Sequence, residues 1–193
     1  MEKMNPIVLI PVGLFAFLGG AAFGRSRKGL SMTPPEKMSP LRGIRQSDWE
    51  RFVSVMVMAP RERISPRGRL GMFQMDARRL SDIGAMINPH KATVGGETGV
   101  WIGEWKAPLS QPKYLGSLPL QYAVFVRSMK VMVPKITPMV GTDVGGMRCS
   151  LSGLLGVGHL AGEAGVESWV KNVDVRRRFP ATTANFQRTN GIF

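Results

Sequence analysis

Residues 6–23, PIVLIPVGLFAFLGGAAF, form an uncharged apolar run, and Arg25-Ser26-Arg27-Lys28 comes directly after it. A run of this length sits near the lower limit for a bilayer-spanning helix, which needs about 17 to 25 residues. Gly13, Gly19 and Gly20 are better tolerated in lipid than in a soluble helix, while Pro11 bends or restarts the segment. The positive flank favours a cytoplasm-like side for the C-terminal portion if the setting is a cell membrane. A cleaved signal peptide normally carries its charge ahead of the apolar run; here only Glu2 and Lys3 precede it. A retained anchor in residues 1–28 is therefore the expectation. Burial against neighbouring subunits is the other use for such a helix.

Residues 29–46 contain three prolines among polar and glycine positions and read as a linker or extended arm. The folded part is expected over 47–193. Ser47 and Glu50 stand at capping-box spacing, and Trp49, Phe52, Val53, Met56 and Val57 recur at helical spacing. That predicts a first helix over 48–58, ending before Pro60. Further helices are predicted over 72–83 with Gly84 as the stop, and from Pro119 to Val133, halted by Pro134. Two more are expected over 150–160 and 163–171, separated around Gly162, and a short capped one over 182–190. The Gly- and Pro-rich stretch between Asn88 and Leu118 suits a short hairpin turning at Val94-Gly95-Gly96-Glu97.

Lys and Arg number 26 against 13 acidic residues, a formal net charge of +13. Such an excess favours polyanionic partners: nucleic acid, anionic lipid head groups or bacterial wall polymers. No helix-turn-helix, zinc-finger or RNA-binding signature accompanies it, so nucleic acid enters only as a nonspecific partner. Cys149 is the only cysteine, which excludes an intrachain disulfide and any metal site built on several thiolates. With Arg148 beside it, Cys149 reads either as a reactive thiol or, more commonly, as a buried inert one. No cofactor is indicated.

The run Ile64-Ser65-Pro66-Arg67-Gly68-Arg69-Leu70-Gly71-Met72-Phe73-Gln74 resembles the signature of soluble lytic transglycosylases and goose-type lysozymes. In that family a Ser-Pro-x-Gly-x-x-Gly-Leu-Met-Gln run leads into a helix, and Gly71, Met72 and Gln74 fall on matching positions. Gly158-His159-Leu160-Ala161-Gly162 is similar in placement to the family's late Ala-Tyr-Asn-Ala-Gly element through Ala161 and Gly162. The tail, FPATTANFQRTNGIF, looks like the endings of phage-encoded proteins that carry a GMFQ motif.

The resemblance implies a mainly α, lysozyme-like helical domain preceded by an N-terminal apolar, transmembrane-type helix and a linker. It implies a virion-associated phage protein that engages or cleaves peptidoglycan at the host envelope during genome entry, oligomeric within the virion. Membrane or other virion subunits would meet it through residues 6–23. Gly71, Met72, Gln74, Trp101, Trp105, His159 and Gly162 are the implied glycan-binding positions. Gly68 and Gly71 suit tight turns, and a glutamine such as Gln74 offers both a donor and an acceptor to a sugar or to water.

Glycoside cleavage needs a carboxylic acid as proton donor, usually one held in an apolar pocket. The family's Glu position falls on Met56 and Val57, which cannot donate a proton. Glu62, between Arg61 and Arg63, and Glu104, between Trp101 and Trp105, are the substitute candidates. The plainer role for Glu104 is an exposed carboxylate paired with Lys106. A noncatalytic structural protein of the virion (tail, portal or internal) is the alternative function.

Overall fold

The computed structural model describes residues 39–193. The apolar run, its basic flank and most of the linker lie outside the described residues. Leu41 and Ile44 already pack with the core, so the folded part begins ahead of Ser47. Helix α1 spans Gln46–Met56 and buries Trp49, Phe52 and Met56 along one face. Its start differs from the expected capping box: Arg45 stands at the N-cap, and no side chain caps it.

Helix α2, Ala77–Asp82, is half the length expected. The residues just before it turn back on themselves instead of entering a helix. Asp76 caps α2 by accepting the Arg79 N–H at 2.8 Å. Gly84, at φ 74°, closes the turn after α2, as its position in the sequence suggests.

Strands β1, Met86–Val94, and β2, Glu97–Trp105, form an antiparallel hairpin closed at Gly95-Gly96. The register pairs Met86 with Trp105 and Lys91 with Trp101, with irregularities between Ile87 and His90 and between Ala92 and Val94. A second, two-residue hairpin joins β3, Asp143–Val144, to β4, Met147–Arg148.

Helix α3, Gln111–Gly116, capped by Ser110, precedes α4, Leu118–Ile136, capped by Ser117. Pro134 does not halt α4. Its missing N–H falls in the last turn and removes one helical bond, to the Lys130 carbonyl, while the Val133 carbonyl accepts both the backbone N–H and the hydroxyl of Thr137, the latter at 2.7 Å. A 3-10 turn comes next at Thr137–Met139. Helix α5, Leu151–Lys171, is broken at Gly162 by φ 74°, ψ 174°, which reproduces the expected division into two segments. Helices α6, Val173–Arg178, and α7, Pro180–Thr189, complete the chain.

Helix α5 is central. It packs against α4 on one side and α7 on the other, and Ser152 to His159 are all buried. Glycines make this closeness feasible: a methyl group on Gly156 would overlap Thr189, and one on Gly158 would overlap Met132. Across α4, the Phe73 and Phe125 rings stack with centroids 4.1 Å apart, and Phe52 and Trp49 extend the aromatic group.

The expectation of a mainly α, lysozyme-like domain is corrected by this architecture. The described residues are about 53% helix and 16% strand, with a hairpin of two nine-residue strands where only a short one was expected. Pro89, Gly99 and Gly103 interrupt the alternation that marks a strand, so the length of the hairpin is hidden in the sequence. The transmembrane-type helix finds no counterpart in this region. Among the described residues no helix is long and apolar enough to cross a membrane.

Candidate functional site

The run that carries the family resemblance folds as two successive tight reversals. Ser65 and Arg69 flank a three-residue loop, Pro66-Arg67-Gly68. The Ser65 N–H donates to the Arg69 carbonyl at 2.9 Å, and the Gly68 N–H returns to the Ser65 carbonyl at 2.9 Å. Gly68 has φ 70°, the left-handed conformation that a three-residue hairpin loop requires at this place. Ser65 Oγ also accepts the Arg69 N–H at 3.0 Å. The first reversal therefore presents Arg67 at its tip and Arg69 beside it.

The second reversal pairs Leu70 with Met75 and turns through Gly71 to Gln74, with φ 72° at Gly71 and 50° at Gln74. Two positive φ angles within four residues are incompatible with a helix starting at Met72. Gln74 Nε2 donates one of its two hydrogens within the turn, to the Gly71 carbonyl at 2.8 Å.

Gln121, fully buried on α4, holds this second turn. Its Oε1 accepts the Met72 N–H at 2.8 Å. Its Nε2 donates to the carbonyls of Arg61, Tyr114 and Leu115 at 3.0, 3.1 and 3.2 Å. Gly71 lies against it: an added methyl would overlap Gln121 Oε1 and come 3.2 Å from Tyr114 Cε1. The close backbone approach at Gly71 is thus made to α4, and the one at Gly68 to the Val100 side chain.

His159 fastens the same turn from the other side. Its Nε2 lies 2.6 Å from the Phe73 carbonyl, which makes Nε2 the protonated nitrogen of a neutral ring. Nδ1 is buried with no hydrogen-bond partner among the described residues. Burial, reinforced by the Arg79 guanidinium, pushes the His159 pKa down to about 3, against the opposing hydrogen bond to Phe73. The ring stands edge-on to Phe125, 5.6 Å between centroids. His159 is a packed residue between elements, not a group open to a ligand.

Neither carboxylate singled out in the sequence hydrogen-bonds to the turn, although the Arg63 carbonyl next to Glu62 accepts the Gly71 N–H at 2.8 Å. Glu62 is exposed and paired with Arg61, whose hydrogen bond holds its carboxyl below the usual range. Glu104 is exposed and accepts from Asn88 Nδ2 at 3.2 Å, without the ion pair to Lys106. Strand alternation puts Trp101 and Trp105 on one face of β2 and Glu104 on the other. Trp105 packs on Tyr114, ring centroids 5.4 Å apart. The Trp101 ring has Arg78 at 5.6 Å and Lys91 at 5.5 Å from its centroid. Met56, at the family's acid position, is fully buried core.

The most developed hollow lies elsewhere, between the Arg67 loop and the kinked end of α5 with α6 and α7. It is a cleft of about 520 Å³. Leu160, Ala161, Val175 and Phe179 give it an apolar surface, and Arg67, Arg69 and Arg178 supply its charge. No carboxylate among the described residues lines it. None of the three guanidinium groups makes an ion pair or side-chain hydrogen bond among the described residues, whereas Arg61, Arg79, Arg176, Arg177 and Arg188 all do.

Helix α6 positions Arg178. Asn172 caps it by accepting the Asp174 N–H at 2.8 Å, and Arg176 ties it to the end of α5 by donating to the Trp169 and Val170 carbonyls, both at 2.9 Å. Gly162 contributes through the bend that turns the end of α5, not through a contact in the cleft. In the sequence the only local signs of this site are the basic Ser-Pro-Arg-Gly-Arg loop and the Arg176-Arg177-Arg178-Phe179 run.

Neither a protein-family model, nor a curated protein, nor a solved structure matches this chain. Among the described residues no group of three or more His, Cys, Asp or Glu side chains is placed to hold a metal ion.

Proposed function

We propose that the chain is a noncatalytic binding protein whose arginine-lined cleft takes anionic groups of the bacterial wall. The setting suggested by the sequence resemblance is a phage virion acting at the host envelope. The observation that carries the reading is the cleft itself: three guanidinium groups, unpaired among the described residues, around an apolar surface that no carboxylate among the described residues lines. Guanidinium groups match carboxylates in a planar, two-pronged geometry. Peptidoglycan offers carboxylates on its peptide stems and methyl groups on its acetyl, lactyl and alanyl parts, which suit the charged rim and the apolar surface respectively.

Cleavage receives less support than binding. A general acid must hold its proton near neutral pH. Glu62 is shifted in the opposite direction, and Glu104 is exposed on the face of β2 away from the tryptophans.

Co-sedimentation of the full chain with purified sacculi at about 0.15 M salt, where exposed long-range electrostatics are largely screened, tests the proposal. The chain is expected to pellet with sacculi without releasing soluble muropeptides. Replacing Arg67 and Arg178 together by Ala is expected to lower retention at least tenfold. Release of muropeptides that stops on Glu62→Gln or Glu104→Gln overturns the noncatalytic reading. Retention that is indifferent to the arginines, or lost to competing DNA, overturns the assignment of the ligand.

A further inference from the structure

A second hollow, about 360 Å³, adjoins the arginine cleft and shares Arg67 and Arg69 with it. Its other wall differs in kind: Met58, Ser65, Gln74 and Glu97 line it. Among the described residues Glu97 is the single carboxylate lining either hollow. It is exposed at the start of β2 and makes no ion pair among the described residues, although two arginines line the same hollow. The acid and the arginines thus face one another across open space wider than an ion-pair contact.

The hydrogen-bonding inventory gives this space a polarity. At the far end the Glu97 carboxylate can only accept, and Gln74, which commits one of its two Nε2 hydrogens to Gly71, offers its Oε1 as an acceptor. In the middle and at the other end, Arg67, Arg69 and Arg178 can only donate. Beyond the two shared arginines lies the apolar surface of Leu160, Ala161, Val175 and Phe179. A purely anionic polymer leaves Glu97 repelled and unpaired, and a neutral chain leaves the arginines unanswered.

We infer that the two hollows together take an acidic peptide that also carries a free amine. Its ammonium group lies between Glu97 and Gln74, its carboxylates lie on Arg67, Arg69 and Arg178, and an aliphatic side chain rests on the apolar surface. The inference rests on the arginine cleft being the binding site, and it adds the ligand's chemical class and its direction along the groove.

The test is titration calorimetry on the full chain with a synthetic tetrapeptide holding two carboxylates, one leucine side chain and a free N-terminal amine. The same peptide with its amine acetylated is the second probe. Wild-type protein is expected to bind the free amine about tenfold more tightly than the acetylated form. Glu97→Gln is expected to reduce that preference below about twofold, with the acetylated peptide bound no more weakly than by wild type. Arg178→Ala, at an exposed position outside the fold's hydrogen-bond network, is expected to weaken both peptides. Equal binding of the two peptides by wild type, with both weakened by Arg178→Ala, overturns the inference and leaves the cleft as the site. Failure of both peptides to bind, or binding indifferent to both Arg178→Ala and Arg67→Ala, overturns the cleft reading itself.

Discussion

Replacing Gln121 by Met keeps the volume of a fully buried side chain and removes all its hydrogen bonds, so the cost measures how strongly the 71–74 turn is held. Four contacts are lost: the Met72 N–H at 2.8 Å and the carbonyls of Arg61, Tyr114 and Leu115. These groups do not all become stranded. The Tyr114 carbonyl also accepts the Ser117 N–H at 3.3 Å, and Arg61 lies on an exposed segment where water can reach its carbonyl. That leaves the Met72 N–H and the Leu115 carbonyl, each costing about 1–3 kcal/mol when buried without a partner. The expected destabilisation is about 2–6 kcal/mol. At roughly 2–4 °C per kcal/mol for a chain of this size, the melting midpoint should fall by about 4–24 °C. Urea unfolding followed by tryptophan fluorescence suits the measurement, because Trp49 and Trp169 are both buried. Gln187→Met, on an exposed position of α7, is the control. A Gln121→Met protein within about 0.5 kcal/mol of wild type, the range of ordinary surface substitutions, would refute the argument that this amide anchors the turn.

Three further outcomes are expected from the same geometry. Gly71→Ala puts a side chain at φ 72° and into Gln121; it should cost at least about 2 kcal/mol from strain and overlap, read from the shift in the urea midpoint. His159 has a folded pKa of about 3 against an ordinary 6.5, so between those values the unfolded chain binds the extra proton. Its contribution is complete above about pH 6.5 and is lost as the pH falls towards 3, at up to about 1.4 kcal/mol per pH unit; a His159→Gln protein should show a flatter stability profile between pH 4 and 6.5, and parallel profiles would contradict this assignment. Cys149 is buried, and burial, with Asp143 nearby, raises its thiol pKa. Iodoacetamide should leave native protein unlabelled at neutral pH and label it in urea, as mass spectrometry would show.

What could be read in the sequence depended on how local its cause was. The Trp49, Phe52 and Met56 stripe marks a buried helix face because helical periodicity acts within a few residues. The Gly95-Gly96 turn, the stop at Gly84 and the break at Gly162 were legible for the same reason: each is a backbone preference of one or two residues. The helix expected from Met72 failed because Met72, Met75, Leu80 and Ile83 mimic a helical stripe, while the outcome is set by Gln121, 49 residues away from Met72. Nothing in residues 71–74 announces that partner. Helices α3 and α6 were missed because six-residue helices have little signal of their own, although Ser110 and Asn172 cap them.

The candidate site was legible only in part. Arg67 and Arg69 belong to a motif visible in the sequence, but they meet Arg178 only through the bend of α5 and the docking of α6. Glu62 is a candidate for its nearness to the motif, and Glu104 for its tryptophan neighbours. The Arg61 pair holds Glu62 ionised, and strand alternation turns Glu104 away from the tryptophans.

The burial of α5 from Ser152 to His159 divides the chain into positions with very different freedom to vary. A helix enclosed on every side has no face on which substitutions pass unnoticed: enlarging Gly156 or Gly158 drives into Thr189 or Met132. The side chains that shape the groove are placed otherwise. Arg67, Glu97, Arg178 and Phe179 are exposed and hold no other part of the fold together. Mutational drift can therefore redraw what the groove prefers while the frame beneath it stays constant, so descendants of this chain could diverge in ligand long before they diverge in architecture.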